Sequence, residues 1–240
     1  MKTRTNTILS TLFVLFALLV SFGCADISVN PTADINGPGV NIDQKYKASE
    51  SFSNIVVLSN QTTIKVEGIN GTVNVQSVSG TNQITLSGEK VVRADTYQNA
   101  YSHLKDIAIE INELTDKVLV KTVQPNYSNG RSYSVNYTIS IPSHLNVVVN
   151  NVNGEINGRL AMPLNGTIAM SLQNGNIKLN LPRNTSAEFY ASLANGSISL
   201  QDLTLHNRVA SSKSLQGRFG DGQGMITLRT TNGNIHVAGF

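Results

Sequence analysis

The sequence has no tryptophan, a single cysteine and few charged or aromatic residues. Charged residues make up 14% of the 240 residues and aromatic residues 6%, whereas ordinary soluble domains are about 25% charged. One cysteine excludes an internal disulfide. A hydrophobic content of 40%, with 19 glycines, is nevertheless enough for a packed core. The composition therefore indicates a neutral protein of strands and turns, not a disordered chain.

The first 23 residues are typical of a secretory leader. Lys2 and Arg4 precede an apolar run from Ile8 to Val20, which is shorter than the roughly 20 residues of a membrane-spanning helix. The run ends just before Gly23-Cys24. This pair resembles the lipobox of bacterial lipoproteins, although the residue three positions before the cysteine is Ser rather than the usual Leu.

The lipobox resemblance implies that the leader is cut before Cys24 and that this cysteine is lipidated. Two or three acyl chains would then hold the protein stably in a membrane. Ala25 follows the cysteine, and the absence of Asp there implies outer-membrane sorting in a Gram-negative cell, facing the periplasm or the cell surface. The alternative is an ordinary signal peptide with an incidental cysteine.

The basic isoelectric point, near 9.0, does not predict a nucleic-acid partner. The leader contains two of the 18 Lys and Arg residues and none of the 15 Asp and Glu residues. Its removal leaves 16 basic and 15 acidic residues, a net charge of +1. No basic patch with interleaved aromatic residues remains.

Three segments follow from the pattern along the chain. Residues 1–23 are the signal peptide, and residues 24–50, with scattered Pro and Gly, are predicted to be a flexible tether. Residues 51–240 form one domain of short alternating strands separated by Gly and Asn turns. One short helix is predicted near 95–104, with Asp95 as its N-cap.

A 21-residue period dominates the second half of the chain. Glycines recur at that spacing, each after an amide residue, in the pairs Asn153-Gly154, Asn174-Gly175, Asn195-Gly196 and Gln216-Gly217. Apolar columns such as Val147, Ile168 and Phe189 keep the same spacing. Separate hairpins have no reason to share one period, whereas stacked rungs of a solenoid do. We therefore predict an all-β, right-handed β-solenoid with about 21 residues per rung in this half.

In this interpretation the Asn-Gly pairs are structural corners that lie one above another. Glycine supplies the positive φ of a tight corner, and stacked amides bond from rung to rung. Asn232-Gly233 comes 16 residues after Gln216, which breaks the period. We interpret it as an irregular last rung that caps the solenoid.

Three segments resemble a family of candidate adhesins of the bacterial envelope, which have a β-solenoid fold and largely unassigned function. The segments are YSVNYTISIPSHLNVVVNNVNGEING, SLQNGNIKLNLPRNTSAEFYASLANGSISL and GMITLRTTNGNIHVAGF. The resemblance covers roughly Phe52 to Phe240 and implies no catalytic residue, metal or cofactor.

Three functions are compatible with these features. The first is a non-enzymatic envelope protein, held to the membrane by its lipid anchor, that presents a solenoid surface to an envelope protein or a glycan. The second is a carbohydrate-active β-helix enzyme, which would need clustered acids that the pattern does not offer. The third is a structural or stress-related envelope factor with no external ligand.

Overall fold

The computed structural model describes residues 44–126, 129–159 and 166–240. The predicted leader and Cys24 lie outside the described residues, as does most of the predicted tether. The first strand begins at Tyr46 and pairs with a strand that ends at Ala94. The sheet therefore starts five residues before the predicted domain boundary at residue 51.

The described residues form fifteen strands, one α-helix and one 3₁₀ helix. The strands are β1 (Tyr46–Val57), β2 (Thr63–Glu67), β3 (Asn70–Val78), β4 (Gln83–Ala94), β5 (Ala108–Glu113), β6 (Lys117–Val123), β7 (Ser132–Pro142), β8 (Asn146–Arg159), β9 (Thr167–Leu181), β10 (Ala187–Asn195), β11 (Ile198–Gln201), β12 (His206–Ala210), β13 (Ser214–Phe219), β14 (Gly224–Asn232) and β15 (Ile235–Gly239). The helices are α1 (Tyr97–Ser102) and the 3₁₀ helix Leu104–Asp106.

The predicted short helix is confirmed, but its N-cap is one residue later than expected. Thr96 Oγ1 accepts a 3.1 Å hydrogen bond from the backbone N–H of Asn99, which satisfies one of the free amides of the first turn. Asp95 instead accepts a 2.6 Å bond from the side-chain amide of Asn99.

Each regular rung contains one Asn-Gly corner, which lies within a single continuous strand in β8 and β9 and where two strands meet in the other rungs. The period-two alternation sends every other side chain into a shared core, as with Ile64 and Val66 in β2. Parallel neighbours keep matching residues in register, so Val147 of β8 lies beside Ile168 of β9. Some rungs are formed by two consecutive strands and others by one. In space the rungs lie in the order β6–β7, β2–β3, β8, β9, β14–β15 and β10–β11.

The β-solenoid-like architecture is as predicted, but the order of its rungs differs from the order in the sequence. Adjacent rungs β8 and β9 are 21 residues apart, as between Val147 and Ile168. The next rung on β9, however, is the C-terminal one, because Ile226 pairs with Ile168 and Phe189 pairs with Ile226. The predicted column of Val147, Ile168 and Phe189 is therefore interrupted by Ile226.

The sheet does not close, and antiparallel strands flank the parallel rungs. At one end β4 and β1 extend the sheet beyond β7. At the other end β13 and then β12 extend it beyond β10. This second extension positions the candidate site.

Candidate functional site: the corner stack and a groove beside Tyr190

Five Asn-Gly corners stack in one line, which we call the corner stack. Parallel pairing places them in register, in the spatial order Asn70-Gly71, Asn153-Gly154, Asn174-Gly175, Asn232-Gly233 and Asn195-Gly196. Gly71 joins the stack although it lies outside the 21-residue spacing. Asn232-Gly233, interpreted as the cap, is an interior member of the stack.

The asparagine side chains form a directed ladder of hydrogen bonds. Each Nδ2 donates to the Oδ1 of the next asparagine toward Asn70: Asn195 to Asn232 at 2.8 Å, Asn232 to Asn174 at 2.7 Å, Asn174 to Asn153 at 2.8 Å and Asn153 to Asn70 at 2.7 Å. Asn70 Nδ2 ends the series on the backbone carbonyl of Tyr133, at 2.9 Å. These amides are therefore occupied in holding rungs together.

Glycine is required at the corners for two reasons, both visible at Gly175. Its φ of +131° lies in a region that side chains with a Cβ rarely adopt. A Cβ at this position would also overlap the carbonyl oxygen of Gly154 on the neighbouring rung. The corner residues are thus explained by backbone geometry and rung contact.

Gln216 and Gly217 do not belong to the corner stack, contrary to the sequence prediction. They lie in β13, which pairs antiparallel with β10 so that Gly217 faces Phe189. A Cβ on Gly217 would lie 2.6 Å from Leu205 Cγ, so the glycine allows the segment before β12 to pack closely. Their amide-glycine pattern matches the corners, but no parallel rung lies beside them.

The same antiparallel pairing creates a groove, here called the Tyr190 groove. It has a volume of about 340 Å³. The residues that give it its chemistry are Glu188, Tyr190, Asn207, Gln216, Arg218 and Met225. They face outward because the alternate residues of the same strands, such as Phe189 and Ile226, are buried in the core.

Polar side chains in the Tyr190 groove are not engaged by the described part of the protein. Within residues 44–126, 129–159 and 166–240, the side chains of Glu188, Asn207, Gln216 and Arg218 make no hydrogen bond or ion pair. Arg218 Nε is buried without an acceptor. These groups differ in this respect from the corner amides.

The backbone around Asn207 is unusual. Asn207 has a φ of +51° and lies where the register between β12 and β13 shifts. Such bulges re-aim side chains and occur often beside functional sites. The Arg229 guanidinium lies 5.9 Å from the centre of the Tyr190 ring.

A family model matches residues 34–238 and is described as Toastrack DUF4097. The chain belongs to the Toastrack DUF4097 family. Among proteins with curated functions, none matches this Toastrack sequence.

Solved structures resemble the Toastrack chain only distantly. A candidate cell adhesion protein from Clostridium sporogenes is 11% identical with a TM-score of 0.46, and the match covers 80% of this chain and 100% of that one. A candidate adhesin from Parabacteroides distasonis is 14% identical with a TM-score of 0.31, over 78% and 69% of the two chains. One from Parabacteroides merdae is 11% identical with a TM-score of 0.31, over 78% and 80%.

Several outward side chains elsewhere on this Toastrack domain bond to one another. Asn157 Nδ2 donates to Asn74 Oδ1 at 3.0 Å, and His236 Nδ1 lies 2.9 Å from Ser199 Oγ. Lys178 and Glu155 are 3.7 Å apart across neighbouring rungs. Hydrogen bonds and an ion pair therefore link outward side chains of neighbouring rungs after the corners.

Among the described residues, two titratable groups have clearly shifted pKa values, and both have structural roles. Burial raises the pKa of the Tyr137 phenol, whose Oη lies 2.7 Å from Thr122 Oγ1. The hydrogen bond from the Asn99 side chain lowers the pKa of the Asp95 carboxyl. Across the described ranges no three His, Cys, Asp or Glu residues of the Toastrack chain cluster as metal ligands would. Those ranges also contain no helix with the length and apolarity to cross a membrane.

Proposed function

We propose that the protein is a lipid-anchored, non-enzymatic binding scaffold of a bacterial cell envelope. The Tyr190 groove carries the binding role. Its polar side chains are held on paired strands, and those of Asn207 and Gln216 have no partner within the described residues. Rigid elements hold recognition groups more accurately than loops do. The corner stack supplies the scaffold, since its amides are engaged between rungs.

A non-enzymatic role is proposed because the acids are not arranged for glycoside cleavage. That chemistry uses a pair of carboxylates on the two sides of the bond that breaks. Glu188 is the only acid among the residues that line the groove. Glu155, on the other face, lies beside Lys178.

The envelope location rests on Gly23-Cys24 at the end of an apolar leader, and replacement of the cysteine tests it. Cells expressing the native chain or Cys24→Ser are grown with an alkyne-labelled palmitate and then fractionated. We expect label and membrane retention in the native chain only. A matched control, Cys24→Ser with Ser28→Cys, keeps a thiol four residues on and should behave like the single variant. Unchanged membrane retention of Cys24→Ser would contradict the anchor.

The binding role is tested with the full chain, purified in mild detergent, and isolated cell envelopes. Envelopes are left untreated, digested with protease or oxidised with periodate, which destroys vicinal diols of glycans. Retention that one treatment abolishes identifies a protein or a glycan partner. Absence of retention on untreated envelopes contradicts the binding role and favours a structural factor with no external ligand.

A further inference from the structure

We propose that the Tyr190 groove is a saccharide-binding site that takes one or two sugar units of a neutral or singly acidic glycan. This assignment rests on the proposed binding function and names its ligand class. It concerns the outward side chains of β10, β13 and β14, together with Asn207 of β12.

The aromatic ring is the first argument. Tyr190 lies between Gln216 of β13 and Thr227 of β14, its partners in the sheet. The ring is half-buried, so one part packs on the sheet and the remainder borders the groove. An aromatic ring offers apolar area with little conformational entropy to lose. The C–H-rich face of a pyranose ring is a suitable partner for such a surface.

The unpartnered polar groups are the second argument. A sugar hydroxyl both donates and accepts hydrogen bonds, so a site for it needs groups of both kinds. The Asn207 and Gln216 carboxamides each supply a donor and an acceptor, and Arg218 supplies donors only. Glu188 supplies acceptors. All four groups line the same groove. None of them has a hydrogen-bond or ion-pair partner among the side chains of the described residues.

Charge limits the ligand further. Glu188 offsets one of two cations, Arg218 in the groove lining and Arg229 beside the Tyr190 ring. The remaining single positive charge suits a neutral sugar or one carboxylate, but not a polyanion such as nucleic acid, which needs a row of cations.

The size of the groove agrees with a small ligand. A volume of about 340 Å³ is at the lower end of the range of roughly 300–1,000 Å³ for small-molecule sites. The groove lies over the face of paired strands, so its recognition groups are side chains. A peptide that adds a strand would instead use the backbone of an open edge.

Asn207 and Tyr190 allow a test that separates binding from folding. Asn207 has a positive φ, so Asn207→Gly removes the carboxamide while keeping a residue that accepts this backbone conformation. Asn129, also at positive φ and outside the groove lining, gives the matched control Asn129→Gly. Tyr190→Ala removes the ring, and Tyr101→Ala is its control, because Tyr101 is an exposed tyrosine on α1.

The full chain in mild detergent is applied to an array of immobilised oligosaccharides of N-acetylglucosamine, galactose, mannose and glucuronic acid. Any bound oligosaccharide is then titrated by calorimetry. We expect at least one to bind, and Tyr190→Ala to weaken its Kd about tenfold or more. Asn207→Gly should also weaken it, while both controls retain the native Kd and all four variants keep native circular dichroism.

Two results would overturn the saccharide site. One is that no oligosaccharide on the array binds. The other is that Tyr190→Ala and Asn207→Gly bind as tightly as the native chain, which would move the site elsewhere on the surface. In either case the envelope-retention experiment still reports separately on the proposed binding function, because protease-sensitive retention would support a protein partner.

Discussion

Asn232 donates a 2.7 Å hydrogen bond from its side-chain amide to Asn174, and in turn accepts one of 2.8 Å from Asn195. Asn232 is therefore an interior member of the asparagine ladder, with a bond on each side. Asn195 is at the end of the ladder and has only the bond that it donates. This difference in position separates two otherwise similar, exposed corner residues.

Replacement of Asn232 should cost more stability than replacement of Asn195. One hydrogen bond contributes about 0.5–1.5 kcal/mol net, and exposure places these bonds in the lower part of that range. We expect Asn232→Ala to lower the free energy of unfolding by about 1–2 kcal/mol and Asn195→Ala by about half as much. Urea unfolding followed by circular dichroism measures both. Equal losses of unfolding free energy would contradict an interior position for Asn232 and an end position for Asn195.

The sequence predicts the chemistry of the corners better than their order in space. Asn174 and Asn195 occupy the same 21-residue column, yet Asn232 lies between them. Parallel ladder bonds and amide bonds are the same between any two rungs, so they carry no information about which rung comes next. The break in spacing at Asn232 marks an inserted rung. A rung that caps the solenoid would produce the same break, so spacing alone does not distinguish the two.

The Tyr190 groove has no sequence signal because its residues meet through long-range pairing. Tyr190 and Gln216 become neighbours only when β13 turns back antiparallel on β10. Asn207 enters through a register shift in β12, which the sequence pattern does not reveal. The amide-glycine pattern of Gln216-Gly217 wrongly predicts a corner for a related reason, because local composition does not distinguish parallel from antiparallel pairing.

Substitution of a corner glycine should combine backbone strain with the carbonyl contact. Gly175 and Gly80 both have positive φ, but a Cβ at Gly80 meets no atom within 4 Å, whereas one at Gly175 overlaps the Gly154 carbonyl. Backbone strain alone costs about 1–3 kcal/mol. We expect Gly175→Ala to lower the free energy of unfolding clearly more than Gly80→Ala. Comparable losses in thermal unfolding would contradict the requirement for glycine at this corner.

Thr122 and Tyr137 share a 2.7 Å hydroxyl–hydroxyl hydrogen bond inside the core. Removal of one partner leaves a buried hydroxyl unsatisfied, at a cost of about 1–3 kcal/mol, whereas removal of both is nearly neutral. We therefore expect Thr122→Val and Tyr137→Phe each to destabilise the protein, and the double variant to lose much less than the sum. A double-mutant cycle measured by urea unfolding gives the coupling free energy between the two hydroxyls. Strict additivity of the two losses would contradict the coupling.

The buried phenol of Tyr137 should also make the protein less stable at high pH. Because burial raises the pKa of its phenol above the usual 10.0, the folded chain holds this proton more tightly than the unfolded chain. This contribution is complete below pH 10 and is lost as the pH rises above it. Between about pH 8 and about pH 11, the native protein should therefore lose more unfolding free energy than Tyr137→Phe. Equal losses would show that the phenol does not contribute.

The C-terminal rung should be required for its neighbour in space, although that neighbour precedes it in the sequence. The partners of β10 are β14 and β13, whereas β8 pairs with β9 and the β2–β3 rung. Deletion of residues 224–240 should therefore abolish amide-exchange protection in β10 while β8 stays protected, and β8 serves as the internal reference.

The result that would contradict this is native-like protection of β10 in the shortened chain. It would mean that pairing with β13 alone protects β10, or that β10 docks directly on β9 in the 21-residue register that places Phe189 beside Ile168. The two strands share their corner chemistry, Asn195-Gly196 and Asn174-Gly175, so backbone pairing alone does not forbid that arrangement. In the native stack Ile226 lies between Ile168 and Phe189, and Phe189 packs 5.1 Å from Phe219. We expect the packing of Ile226 between its two neighbours, which a direct β9–β10 contact would lack, to decide the order of the rungs.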